Sequence, residues 1–127
     1  MGIWPDDVQC VVTLTFDVDA ETLWISGDMS NLSRPGLLSQ GTYGAKVAVP
    51  LILDLLQREG LPGTFFVPGW TAENHREIIE RIHTEGHELG HHGWIHEHAT
   101  NLSLDDERDV LLKGIDALKA ITGTSPR

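Results

Sequence analysis

Residues 90–100 read GHHGWIHEHAT and place His91, His92, His96 and His98 within eight positions. Neutral imidazole is the commonest protein metal ligand, so the cluster points to a metal once a carboxylate or another group completes the coordination. His92 and His96 have a His-x3-His spacing that a single turn of chain can bring onto one ion. His91 and His98 fit better as exposed histidines, or as groups that support the ligands, than as ligands. The carboxylates lie far off in sequence, at Asp17 and Asp19 in TFDVDAE. Two carboxylates so close repel unless something positive separates them, although an Asp-rich turn at a strand end is an equally ordinary use of the pair. One carboxylate with two imidazoles leaves positions open for water or substrate, the pattern of a catalytic metal rather than a closed structural one.

The elements that must position these groups follow from periodicity. From Val8 to Val18 every even position is apolar (Val8, Cys10, Val12, Leu14, Phe16, Val18), which is a strand period and puts Asp17 and Asp19 on the opposite face at its C-terminal end. Residues 45–59 read as a helix with Pro50 in its first turns and Gly60 as its stop. GTFFV at 63–67 is a second strand. Asn74 and Glu77 resemble a capping box opening a helix with Ile78, Ile79 and Ile82 on one side and Gly86 at its end. A third strand runs from His87 to His91. Ser103 is placed to cap the last helix, whose Asp105, Asp106 and Glu107 suit a positive N-terminus and whose Leu111, Ile115 and Leu118 form an inner stripe ending before Gly123.

The alternation of strand and helix, three times over, implies an α/β fold with parallel strands and right-handed crossovers, in a barrel or an open sheet. In both architectures ligands gather beyond the C-terminal ends of the strands. The aspartate pair and His92/His96 fall there, after the first and third strands. The connection from 20 to 44 is the one long stretch without an evident element, and its Ser and Gly content suits a segment covering the site.

Composition narrows the function classes. A chain of 127 residues with 40% hydrophobic content makes one domain over residues 1–127 and can build a core. Nine basic against nineteen acidic residues give a net charge of -10, which repels phosphate backbones and anionic lipid, so neither nucleic acid nor a membrane is expected as partner. MGIWPDD lacks the basic start and apolar run of a secretory signal, and VAVPLILDLL is too short to cross a bilayer and carries Pro50 and Asp54. A cytoplasmic location is the expectation. The single cysteine, Cys10, sits in an apolar run and reads as a small buried hydrophobe.

TFDVDAE at 15–21, GTFFVPGW at 63–70 and GHELGHHGWIHE at 86–97 resemble, in order and spacing, the first half of the polysaccharide deacetylase family (NodB-homology domain, carbohydrate esterase family 4). The resemblance implies the N-terminal part of a distorted (β/α) barrel, incomplete here because the C-terminal half is missing. It also implies metal-dependent hydrolysis of a non-peptide carbon–nitrogen bond, with N-acetylated sugar or polysaccharide as substrate. Carried over by position, Asp17 resembles the catalytic base, and Asp19, His92 and His96 resemble the metal ligands. A divalent metal would lower the pKa of water and polarise an amide carbonyl, and Asp17 would accept the proton released. Zinc is the first expectation for the ion, and iron, cobalt and nickel suit the same ligands.

Val18 separates two aspartates that are adjacent in most of the family. This resembles the subgroup with intracellular peptidoglycan deacetylases and with hydrolases of cyclic imides and allantoin, so an amidohydrolase of that type is the alternative. The family's later motifs, which supply a base-orienting arginine and a general-acid histidine, have no counterpart before the sequence ends at TSPR, and Arg127 takes no such role. A catalytically silent carbohydrate-binding fragment and a non-haem iron oxygenase are further readings, the latter disfavoured by the strand–helix alternation. Trp24, Trp70 and Trp94 each follow a strand and could stack on a sugar ring or a flat imide, or simply pack their loops. Three strand–helix units cannot close a barrel, so an exposed edge and self-association into a homo-oligomer are expected.

Overall fold

The computed structural model describes residues 7–126; Arg127 and the first six residues of the N-terminal stretch lie outside them. Three parallel strands, β1 (Thr15–Asp17), β2 (Thr64–Val67) and β3 (Glu88–His91), form one open sheet in the order β1-β2-β3. Thr15 pairs with Thr64 and Thr64 with Glu88, while Asp17 pairs with Phe66 and Phe66 with Gly90. Side chains alternate along strands, so this register sorts the sheet into two faces. Phe65, Val67 and Leu89 are buried on one face with Phe16 packed beside them, whereas Thr15, Asp17, Thr64 and Glu88 line the other.

Helices cover the first face. α3 (Val49–Glu59) contributes Val49, Leu53 and Leu56, α5 (Arg76–Thr84) contributes Ile78, Ile79 and Ile82, and α6 (Leu104–Thr122) contributes Leu118 to the same core. Phe65 is fully buried at its centre and stacks on Phe16 at 5.0 Å. Burying such a side chain contributes roughly 1.5–3 kcal/mol, so the β2 row organises the packing of both flanking strands.

β1 is shorter than the Val8–Val18 period predicts. β2 begins just after Pro62 and Gly63, with Thr64 N–H bonding the Leu14 carbonyl, so among the described residues those before Leu14 meet no partner strand. Cys10 is exposed rather than buried, and Val11 and Val12 are exposed with it. An apolar alternation makes a strand only where a ladder exists to receive it.

The stretch from 20 to 44 is not a loop. It folds as α1 (Thr22–Ile25), a 3-10 helix (Met29–Ser33) whose first turn Asp28 caps through the Ser30 N–H, and α2 (Pro35–Tyr43) with proline at its first position. α2 runs through a π-helical turn, Gly44–Ala48, into α3 without a break. Pro50 offers no N–H and its ring crowds the carbonyl four residues back, and the wider turn falls directly before it. Gly60 ends α3 in the left-handed conformation at φ 65°.

The capping box at Asn74 and Glu77 does not form. α4 (Gly69–Asn74) starts earlier, Asn74 closes it by bonding the Trp70 carbonyl, and α5 follows from His75 without a side-chain cap. On α6 the cap is as expected: Ser103 Oγ accepts from the Asp106 N–H, and Gly123 at φ 74° ends the helix. Its buried face is Gly114, Ala117 and Leu118, with Leu111 exposed, because a glycine rather than a leucine lies against β3.

Candidate metal centre

Register and parity carry Asp19 and His92 onto one side of the sheet, two residues beyond Asp17 and Gly90. The chain returns in a tight turn after His92 and presents His96 beside it, with the two rings edge-on at 4.7 Å and 81°. Asp19, His92 and His96 thus offer one ligand atom each, all within 4.8 Å of one another. His92 Nε2 lies 3.4 Å and His96 Nε2 3.9 Å from Asp19 Oδ1. Two donors about 2.1 Å from a tetrahedral ion stand roughly 3.4 Å apart, so the three groups lie close enough together to hold one divalent ion. Asp19 Oδ1 and His92 Nε2 are buried and make no hydrogen bond. Buried polar atoms without partners are costly and call for an explanation, and a cation shared between them supplies one.

Burial raises the Asp19 pKa, the charges of His96 and His92 pull it down, and Asp17 adds to the rise. A carboxylate strained in this way gains from any cation placed against it. Asp17, exposed on the same face, shares with Asp19 a cleft of about 470 Å³ that Trp24 and Tyr43 also line.

The remaining candidates separate. His91 points the other way, into the helical layer: its Nδ1 accepts from the Gly93 N–H at 3.3 Å, and Gly114 of α6 lies against its imidazole. Burial lowers its pKa, with the Val110 carbonyl opposing. His98 is exposed, its ring 6.2 Å from that of His96, and outside the three-ligand group. Trp70 and Trp94 are joined through their backbones, Trp70 N–H to Trp94 carbonyl at 2.8 Å. The Trp94 indole lies against Gly69 with the Lys113 ammonium 3.6 Å above it, a cation–π contact. Trp24 stands apart from these two, in the Asp17 cleft.

Several groups that hold the centre carry no local sequence signal. The Asp19 carbonyl accepts from two hydroxyls, Thr22 Oγ1 at 2.6 Å and Thr71 Oγ1 at 2.9 Å, both side chains fully buried. Next to them Glu21 pairs with His75 at 2.7 Å, the side chains 10% and 9% exposed. Between these anchors Ala20 takes φ 51°, a left-handed conformation that persists only where surroundings over-determine it. Gly41 lets α2 close over the same segment, since a Cβ there would stand 2.7 Å from Glu21 Cα.

A parallel α/β sheet with a carboxylate and two imidazoles converging beyond its strand ends defines the class: an α/β domain with a candidate metal site at the C-terminal ends of its strands. The chain belongs to the polysaccharide deacetylase family, whose model matches residues 6–127. It is 34% identical over 118 residues to the peptidoglycan deacetylase of Helicobacter pylori, covering 93% of this chain and 40% of that protein. A crystal structure from Mycobacterium smegmatis, assigned to the polysaccharide deacetylases, superposes with a TM-score of 0.92 at 45% identity, over 97% of this chain and 43% of that one. An allantoinase structure shares the fold at 23% identity and a TM-score of 0.80, over 97% of this chain and 46% of the other. The chain therefore spans less than half the length of these relatives, whose (β/α) barrels it matches with an open three-stranded sheet. No helix among the described residues is long and apolar enough to cross a membrane.

Proposed function

We propose that this chain carries the metal-binding and proton-accepting part of a deacetylase acting on the N-acetylated sugars of peptidoglycan or a related polysaccharide. The observation that carries the reading is the convergence of Asp19, His92 and His96 around two buried donor atoms without hydrogen-bond partners. Membership in the polysaccharide deacetylase family and the 34% identity to a peptidoglycan deacetylase support the substrate class. A divalent ion, zinc first, would supply Lewis acidity toward an amide carbonyl and toward water.

Asp17 acts as the general base. It lies on the face of Asp19 and in the same cleft, but outside the three-ligand group, so its carboxylate stays free to take a proton from the attacking water. Asp19 serves the metal and not the proton, because its carbonyl is held by Thr22 and Thr71 while its Oδ1 faces the two imidazoles. Trp24, in the cleft, is the tryptophan best placed to meet a sugar ring; Trp70 and Trp94 support the histidine turn from outside.

Metal content after dialysis against zinc, paired with acetate release from N-acetylated glycan, tests the reading. The wild-type chain should retain zinc and the His92→Ala/His96→Ala double variant should not. Unchanged metal content in that variant removes the proposal, and ammonia release from cyclic ureides in place of acetate from glycans would move the substrate to the imide class.

A further inference from the structure

We propose that Glu97 is a positioning residue of this centre, the acceptor that folds the chain back after His92 so that both imidazoles reach Asp19; the inference rests on the metal reading above. Histidines four residues apart converge by default on a helix. Here residues 92–96 form a turn instead, with Gly93 at φ 75° and His96 at φ 64°. A histidine in the left-handed region is held there by its surroundings.

Glu97 provides the hold. One oxygen, Oε2, accepts from the Trp94 N–H at 2.8 Å and the Ile95 N–H at 3.0 Å, so two successive backbone donors form a small nest around a carboxylate. The same oxygen lies 2.8 Å from where a Cβ on Gly93 would stand. Glycine at 93 and a long acid at 97 are thus one device, with the absent side chain making room for the carboxylate. The outer side of the turn is fixed separately. Gly69 N–H bonds the Gly93 carbonyl at 3.0 Å and Trp70 N–H bonds the Trp94 carbonyl, tying the first half of the turn to α4. Those bonds end at Trp94, and the bond from Ile95 to Glu97 carries the constraint on to His96. The Glu97 carboxylate is engaged with backbone and stands outside the ligand group.

A chelator-competition titration with zinc on the full chain tests this. Glu97→Ala should weaken zinc binding about tenfold or more, the usual scale for a lost supporting contact. Glu97→Gln keeps the length and an acceptor oxygen and should stay within about threefold of wild type. Glu97→Asp keeps the charge but falls one methylene short, and should bind as weakly as the alanine variant. These two conservative changes separate reach from charge even if Glu97→Ala does not fold. Wild-type affinity in Glu97→Ala or Glu97→Asp, or a Glu97→Gln variant as weak as alanine, overturns the role of Glu97 alone. A wild-type chain that does not bind zinc, or a His92→Ala/His96→Ala variant that binds as well, overturns the metal reading itself.

Discussion

Gly114→Ala should destabilise this protein although helix propensity alone predicts the opposite. An interior helical glycine replaced by alanine gains up to about 1 kcal/mol. At position 114 the new methyl would stand 2.8 Å from the Gly93 carbonyl oxygen and press harder still on the His91 imidazole. Ordinary contacts between such atoms begin near 3.5 Å, so α6 or the histidine turn must move by about 0.7 Å. Overpacking of a closed site costs about 1–3 kcal/mol, and a backbone oxygen as obstacle argues for the upper part of that range. The net loss is then about 1–2 kcal/mol. Gly44→Ala is the control, because nothing lies within 4 Å of its Cβ position and its backbone is already helical at φ −53°. That variant should hold or gain stability. Urea unfolding in the presence of a chelator reads both: with a slope of about 2 kcal/mol/M, the Gly114→Ala midpoint should fall by roughly 0.5–1 M. Because the Gly93 carbonyl is anchored to α4, its displacement should also weaken zinc binding. A Gly114→Ala protein at or above wild-type stability would refute the close approach of α6 to the turn.

Three further outcomes follow from the site. Asp17→Asn, in an active preparation, should retain its metal while turnover falls by on the order of a hundredfold, as for a lost general base; steady-state acetate release beside metal analysis decides it. Thr71→Val removes one of the two hydroxyls on the Asp19 carbonyl and should cost about 1 kcal/mol of stability with weaker zinc binding, while Thr71→Ser restores both; unchanged titrations in the valine variant would show that the Thr22 bond suffices. Burial holds the folded-state pKa of His91 below its ordinary 6.5, so in the metal-free protein its contribution to stability is complete above that pH and is lost as pH falls below it. Urea midpoints with chelator at pH 7.5 and 5 should accordingly fall less in His91→Gln than in wild type, and an identical pH dependence in the two would show that His91 is not the group responsible.

What was legible in the sequence is what depends on local spacing. The parity of Asp17, Val18 and Asp19 follows from the strand period, and it survives even though β1 itself is only three residues long. Ser103 and Gly123 bound α6 by side-chain and backbone chemistry that needs no distant partner. Features set by distant partners were not legible. The length of β1 depends on where β2 starts, and the capping box at Asn74 loses to a helix that begins at Gly69, whose N–H is taken by the Gly93 carbonyl. The anchors of the centre pair residues more than fifty apart, Thr71 with Asp19 and His75 with Glu21, and no periodicity announces such pairs. Glycines mislead in an instructive way. Gly60 and Gly123 do end helices, as their position suggests, but Gly41, Gly69 and Gly114 lie within helices where a Cβ would strike the Glu21 backbone, the Trp94 ring or the Gly93 carbonyl. All three contacts fall on the two segments that hold the ligands, residues 19–22 and 91–97. Unlike the open helical positions Gly36 and Gly44, these three glycines mark places where a helix comes within backbone reach of the site, so those missing side chains shape the centre alongside its polar anchors.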